Sequence, residues 1–327
     1  MPYTVNSCFD WFNKNIVNLD ADEVPTARTS RDTLIDSMHS LSDRGLLPKS
    51  YAEKDIPFGS FARKTKIRPL DDIDIMICFS GCGGTWKYAA DGNTIEILMP
   101  ANAPVLSEMR NDNGSLNSRK LIEKIKGELR DVRYYKKADI HRNQEAATLQ
   151  LSSYDWNFDL VPCFYATADF YLIPDGNGNW KKTDPRIDQQ RVTTANQIHN
   201  GQLLQLIRTM KYWKTIWWGG VSSYMFEQMI INGASFINFN QPFANIVAAI
   251  INYLSSAILG TIADPKGMQG DLNQLDLETR RSLSNIAIQC CRDANTALFE
   301  ESYYRNSSAI AYWRKVFGNQ FPQYGGL

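Results

Sequence analysis

Asp72 and Asp74 flank Ile73 and are followed by Ile75 and Ile77. Side chains two apart on an extended chain point the same way, so this spacing puts both carboxylates on one face of a strand and the isoleucines on the other. Two acids that close repel unless a cation shares them, and Mg²⁺ binds one or two carboxylates together with waters and phosphate oxygens. The chemistry suggested is a metal–phosphate platform. Upstream, Gly59-Ser60 offers a small turn whose N–H groups and hydroxyl can donate to phosphate, joined to the acids by a basic link of Arg63, Lys64, Lys66 and Arg68. By itself a D-x-D also suits a strand start whose acids cap and solvate a loop.

A third acid, Asp159, lies in Trp156-Asn157-Phe158-Asp159-Leu160-Val161. Among apolar strand neighbours it is expected half-buried and in need of a compensating partner. A second metal ion is the simplest partner; a hydrogen-bonded structural role is the alternative, and Asp155 competes for the position. In the second half, Leu203, Ile207, Met210 and Trp217 form a helical apolar stripe. Lys211 borders that stripe, and its long stem can follow the core edge and carry the ammonium into a cleft. Ser223, at a helix start, offers a hydroxyl and N–H groups to phosphate. Tyr224 offers a flat face, worth about 1–3 kcal/mol per stacked base. Each also has an ordinary reading: Lys211 as a solvated lysine, Ser222 as an N-cap, Tyr224 as core.

The elements that must position these residues follow from apolar periodicity. A helix is predicted over 25–41, stopped by Asp43-Arg44-Gly45, and a strand over 72–79. A hairpin is expected from 86–90 and 94–99 around Asp91-Gly92-Asn93. Leu121, Ile122, Ile125 and Leu129 mark a helix over 117–132, and strands follow at 146–151, 156–164 and 170–173. Beyond Pro185 the pattern turns helical, at 187–199, 201–217, 222–231, 244–259, 277–299 and 303–316. The loop 260–276 and the tail 321–327 read as flexible, the tail as accessible to another enzyme. This is an α+β chain in two parts, 1–184 and 185–327.

Lys plus Arg and Asp plus Glu number 35 each, so no net field draws the molecule onto nucleic acid or an anionic membrane. The six cysteines form no CxxC pair and have no neighbouring histidine set, which argues against zinc and for a reducing, cytoplasmic setting. Residues 1–20 lack the basic start and apolar core of a signal peptide. The uncharged stretch 228–263 is broken by Pro242, Asn245, Asn252, Ser255 and Ser256, which favours a buried helix over a membrane span of about 20 apolar residues.

The order G-S, D-x-D, then one Asp on a later strand resembles the DNA polymerase β-like nucleotidyltransferases. Gly59-Ser60-Phe61-Ala62-Arg63 with Ile67-Arg68-Pro69-Leu70-Asp71-Asp72-Ile73-Asp74 is similar to the bacterial cGAS/DncV-like nucleotidyltransferases, the CD-NTases. Met210-Lys211-Tyr212-Trp213 with Val221-Ser222-Ser223-Tyr224 resembles the paired helix segments by which cyclic GMP-AMP synthases grip a triphosphate and stack on a base. The resemblance runs from about residue 25 to about residue 231. It implies a polymerase β-like core, a mixed sheet with flanking helices and an N-terminal spine helix, over 1–184, and a helical lobe completing the nucleotide cleft over 185–327. Two Mg²⁺ ions, with Mn²⁺ as a substitute, would be held by the catalytic acids Asp72, Asp74 and Asp159. Gly59, Ser60, Lys211, Ser223 and Tyr224 would bind nucleotide. The implied activity joins nucleoside triphosphates into a cyclic di- or trinucleotide messenger with release of pyrophosphate, in CBASS anti-phage signalling. Operon proteins that activate the enzyme or act on its C-terminal tail are the implied partners; the lack of a zinc-ribbon Cys/His cluster argues against DNA sensing, and the basic run Arg130, Arg133, Lys136, Lys137 and Arg142 could meet RNA but reads better as a solvated face, so a nucleic-acid activator is not expected. A linear oligonucleotide synthase or an RNA-tailing transferase is the enzymatic rival, and an inactive nucleotide-binding scaffold the non-enzymatic one.

Overall fold

The computed structural model describes residues 2–325. The chain forms two compact units, one of Ala21–Lys64 with Pro69–Gln189, the other of Met1–Asp20, Thr65–Arg68 and Gln190–Leu327. The change of pattern in the sequence suggests a boundary at 184/185; the compact units divide at 189/190 and assign residues 1–20 and 65–68 to the second, helical unit.

Helix α1 (Val5–Phe12) opens the chain, closed at its start by a reciprocal Thr4–Ser7 capping box and burying Val5, Cys8, Phe9 and Phe12 along one stripe. Its eight residues carry too little periodicity to mark a helix in the sequence. Helix α2 (Glu23–Asp43) extends the expected 25–41 at both ends and buries Ala27, Leu34, Met38 and Leu41.

The mixed unit is built on a nine-stranded sheet. A two-residue strand β1 (Ile56–Pro57) leads to the one-turn helix α3 (Gly59–Ala62) and then to β2 (Asp72–Phe79). The hairpin β3 (Thr85–Tyr88) and β4 (Ile95–Leu98) forms as predicted, its turn held by Asp91 Oδ1, which accepts the N–H groups of Asn93 and Thr94. Helix α4 (Ser118–Asp131) follows an Asn117 cap and buries the four predicted residues Leu121, Ile122, Ile125 and Leu129. Strands β5 (Asp139–Asn143), β6 (Ala146–Gln150), β7 (Asn157–Ala166), β8 (Phe170–Pro174) and β9 (Trp180–Thr183) complete the sheet, in the order β1-β2-β7-β8-β9-β4-β3, with β6 beside the first half of β7 and β5 on the other side of β6. β2 and β7 run parallel in the centre and are nearly continuous in burial, as central parallel strands require.

The helical unit takes the end of α5 (Pro185–Ile198), then α6 (Leu203–Trp217), α7 (Ser223–Ala234), α8 (Phe243–Ala257), α9 (Leu277–Ser302) and α10 (Asn306–Phe317). Its core gathers Phe9 and Phe12 of α1 with Trp213, Phe226, Trp313 and Phe317. Among the described residues no helix is long and apolar enough to cross a membrane; α8 is instead core.

Two expectations of looseness are corrected. In the tail, Phe321 is fully buried with its ring centroid 5.0 Å from that of Phe9, the Gly325 N–H donates to Pro2 O at 3.0 Å, and Tyr324 meets Tyr3 edge-on at 5.5 Å. The tail is therefore held through Gly325; Gly326 and Leu327 lie outside the described residues. The loop 260–276 is wound rather than loose: Ala263 bridges Asp271, and the buried Asn273 donates Nδ2 to Ile258 O and Gly260 O at 2.9 and 2.8 Å.

Candidate active site

Strand parity places the acids. Asp72, Asp74, Met76 and Cys78 share one face of β2, and Asp159, Val161 and Cys163 the matching face of β7, with Asp74 paired in register to Asp159 and Met76 to Val161. Toward the strand ends the face becomes a small core of Met76, Cys78, Val161, Cys163 and Tyr171. At the strand starts it carries Asn157 and the carboxylates of Asp72, Asp74 and Asp159, all half-buried. One carboxylate oxygen from each of Asp72, Asp74 and Asp159 lies within 4.8 Å of the other two. Three negative charges at that spacing repel by about 3–4 kcal/mol per pair at an effective dielectric constant of about 20. An oxygen-only set of that charge suits a hard divalent cation such as Mg²⁺.

Asp159 is oriented from its other side by Thr148 of β6, whose hydroxyl donates to Asp159 Oδ1 at 2.6 Å and which stands opposite it in the antiparallel register. Asp155, its competitor in the sequence, precedes β7, is exposed and lies outside the cluster. Thr148 itself gave no signal, because cross-strand register is not readable from one segment.

Gly59 is brought against the acids by β1. Pairing of Ile56 with Met76 and Pro57 with Ile75 carries the chain back along β2, and the Phe58 N–H meets Asp74 O at 3.4 Å. Gly59 then turns with φ +71°, and a Cβ there would lie 1.7 Å from Asp74 Oδ2. Only glycine fits this turn. Ser60 follows it, half-buried, in α3.

In the helical unit, Lys211 is buried. Its Nζ lies 2.8 Å from Glu227 Oε2 and donates to Thr65 Oγ1 at 3.1 Å, and the Thr65 hydroxyl donates to the same Glu227 oxygen at 2.8 Å. The expected ammonium directed into a cleft is thus part of a buried ion pair, because Glu227, on α7, supplies the counter-charge that a buried lysine needs. Neither Glu227 nor Thr65 was picked out from the sequence; a glutamate inside Met225-Phe226-Glu227-Gln228-Met229 was the available signal. Lys214, one turn on, is buried as well, and that burial, aided by the positive charge of Lys211, lowers its pKa. Arg68 of the basic link is structural: its guanidinium donates to Asn18 O at 2.6 Å and Asn15 O at 3.0 Å. Ser222 caps α7 by accepting the Met225 N–H, Ser223 is exposed as its first residue, and Tyr224 is half-buried with its hydroxyl donating to Asp264 Oδ1 at 3.0 Å.

Residues 93–196 match the profile of the Second Messenger Oligonucleotide or Dinucleotide Synthetase domain. Over 331 aligned residues, covering 99% of both chains, the sequence is 45% identical to a probable cyclic nucleotide synthase of Bacillus cereus strain VD146. The chain belongs to the bacterial CD-NTases. As a member of this family of cyclic nucleotide synthases, it has the same fold as two solved relatives. One is Escherichia coli MS115-1 CdnC in a complex with HORMA-deltaN, with a TM-score of 0.70, 17% identity and coverage of 97% of this chain and 98% of that one. The other is Vibrio cholerae DncV, a cyclic AMP-GMP synthase, in complex with the linear intermediate 5′ pppA(3′,5′)pG, with a TM-score of 0.71, 13% identity and coverage of 99% and 98%. Within this CD-NTase the mixed sheet with flanking helices carries the acid cluster, and the C-terminal helices carry Lys211, Ser223 and Tyr224.

Proposed function

We propose that this CD-NTase is a Mg²⁺-dependent synthase that joins nucleoside triphosphates into a cyclic di- or trinucleotide and releases pyrophosphate. The observation that carries the reading is the convergence of Asp72, Asp74 and Asp159 within 4.8 Å in a chain of this family. Those three residues would hold two Mg²⁺ ions, which when bound lower the pKa of a ribose hydroxyl and stabilise charge on the leaving phosphates. The hydroxyl oxygen bonds to the α-phosphorus as the bond to the bridging β-phosphate oxygen breaks, and pyrophosphate leaves with that electron pair. Asp159, fixed by Thr148, takes the hydroxyl proton. Gly59 and Ser60 lie at the phosphates, Lys211 and Ser223 neutralise and bond the triphosphate, and Tyr224 stacks on a base. For Lys211 this requires its ammonium to be shared between phosphate and Glu227.

A second reaction of the same kind, from the free hydroxyl of the linear product onto its own α-phosphate, closes the ring. The linear intermediate found with DncV supports this order of events. The HORMA complex of CdnC supports a regulatory protein partner, and the family supports a cytoplasmic role in CBASS anti-phage signalling. A partner that acts on the C-terminal tail would have to release Gly325 from Pro2.

The test is incubation with all four triphosphates and Mg²⁺ or Mn²⁺, then phosphatase treatment and mass spectrometry. Phosphatase-resistant cyclic products are expected from the native chain and none from Asp74→Asn, which should fold as well as the native chain because it relieves repulsion among the acids. Phosphatase-sensitive ladders, or label on added RNA, would favour linear synthesis or tailing. Product from Asp74→Asn would remove the acid cluster from the mechanism.

A further inference from the structure

Tyr224 is held at its far end by a buried pair from the wound loop. Asp264 has no exposed side-chain surface and Lys266 almost none, and their charged atoms lie 3.2 Å apart. Asp264 is saturated: besides the Tyr224 hydroxyl, it accepts the backbone N–H groups of Lys266, Met268 and Gln269 at 3.3, 3.0 and 3.1 Å. Burial opposes its charge, but Lys266 and the Met268 N–H outweigh it and hold the carboxyl below the usual carboxylate range. Lys266 Nζ also donates to the Tyr224 hydroxyl and sits 4.2 Å from the ring centroid. The loop itself is closed by the Ala263–Asp271 bridge and by Gly267 N–H to Asp264 O at 2.9 Å.

The ring is therefore fixed at one end by the first turn of α7 and at the other by two opposite charges on a closed loop. A stacking surface ordered before its ligand arrives does not lose that freedom on binding. A cation against the ring also changes how it stacks, because it draws on the same π electrons. We propose that Asp264 and Lys266 are positioning residues that fix the plane of the Tyr224 ring and so set how tightly this CD-NTase holds the base of a nucleoside triphosphate. This rests on the reading of Tyr224 as the base-stacking residue. It gives a function to a segment whose composition of Gly, Asp, Asn and Gln suggests only a connector.

The test is equilibrium binding of 2-aminopurine riboside 5′-triphosphate in the presence of Mg²⁺, with fluorescence quenching at saturation as the signature of stacking, so no turnover is required. Tyr224→Ala should abolish most of the quench and weaken binding at least about fivefold, the lower end of what one stacked base contributes. Lys266→Met and Tyr224→Phe should each lose part of the quench and bind about three- to tenfold more weakly, with Lys266→Arg close to the native chain. Their double variant should lose less than the sum of the two single losses, since both remove the Lys266–hydroxyl bond. If Tyr224→Ala loses the quench while Lys266→Met and Tyr224→Phe keep it in full, the positioning role is overturned and stacking stands. If Tyr224→Ala keeps the quench, the stacking reading falls and the positioning role with it. Asp264→Asn is compared by thermal melting and is scored only if it folds; the other variants carry the test without it.

Discussion

At the residue scale, Gly59 and Asp74 of the acid cluster constrain one another tightly. With φ +71° and an added Cβ only 1.7 Å from Asp74 Oδ2, alanine at 59 meets both a strained backbone and a clash with the carboxylate itself. The carboxylate is the part able to move, and moving it breaks the 4.8 Å grouping with Asp72 and Asp159. Gly59→Ala is thus expected to lower pyrophosphate release at least about 100-fold, as 1 Å misplacements in active sites do. The fold should lose only about 1–2 kcal/mol, the cost of a left-handed alanine. A coupled pyrophosphate assay beside a urea melt checks both, and near-native turnover would show that the turn does not hold Asp74. Period-two spacing made Asp72 and Asp74 legible in the sequence, because strand geometry alone puts them on one face. Asp159 was legible only as a candidate, since its place depends on the β2–β7 register and on Thr148, a partner 11 residues away in the chain. Glu227 was not legible as the partner of Lys211, because pairing between two helices is decided by tertiary packing.

At the element scale, what local pattern announces is what long apolar stripes announce. α4 came with its four core residues named, and the β3–β4 hairpin with its turn, because each carries several periods of signal. β1 has two residues and β5 one buried position in five, too little for any periodicity to register. The tail and the 260–276 loop misled in the same way. Short polar and small residues read as freedom, whereas aromatic packing in one and carboxylate-to-backbone bonds in the other tie them down. The tail supplies a direct measurement. Phe321 is fully buried, its ring lies 5.0 to 5.8 Å from those of Phe9, Phe12 and Phe317, and its carbonyl accepts from Arg314 at 2.5 Å. Truncation of a buried phenylalanine leaves a cavity and costs about 3–5 kcal/mol. Phe321→Ala should show that loss in urea unfolding, whereas a flexible tail would tolerate the change within about 0.5 kcal/mol.

At the scale of the whole molecule, the two compact units are not two halves of the chain. Residues 1–20 and 65–68 belong with 190–327, so α1 and the second half of the basic link are packed by a unit most of whose residues lie more than a hundred positions away. A sequence read for contiguous changes of pattern divides the chain once and misses both insertions. Charge balance, by contrast, is a property of the whole sequence and needs no fold: 35 basic residues stand against 35 acidic ones. An enzyme that extends or tails a long strand has to grip many phosphates, and each one neutralised adds about 0.7 to the slope of log affinity against log salt for a single strand. In the basic link Arg68 is already committed to Asn15 and Asn18, and on α6 Lys211 shares its charge with Glu227. A chain with no net positive charge suits one or two triphosphates better than a long strand. A short linear product needs no such grip, because its own hydroxyl and α-phosphate are one molecule and meet at high effective concentration. Synthesis by this CD-NTase, measured at fixed free Mg²⁺ with subsaturating triphosphates, should therefore fall by less than about tenfold between 50 and 200 mM salt, against roughly 300- to 15,000-fold where 6–10 phosphates of a single strand are gripped. A fall of the steeper kind, with radiolabel on added RNA, would make the chain a tailing enzyme and not a ring-closing one.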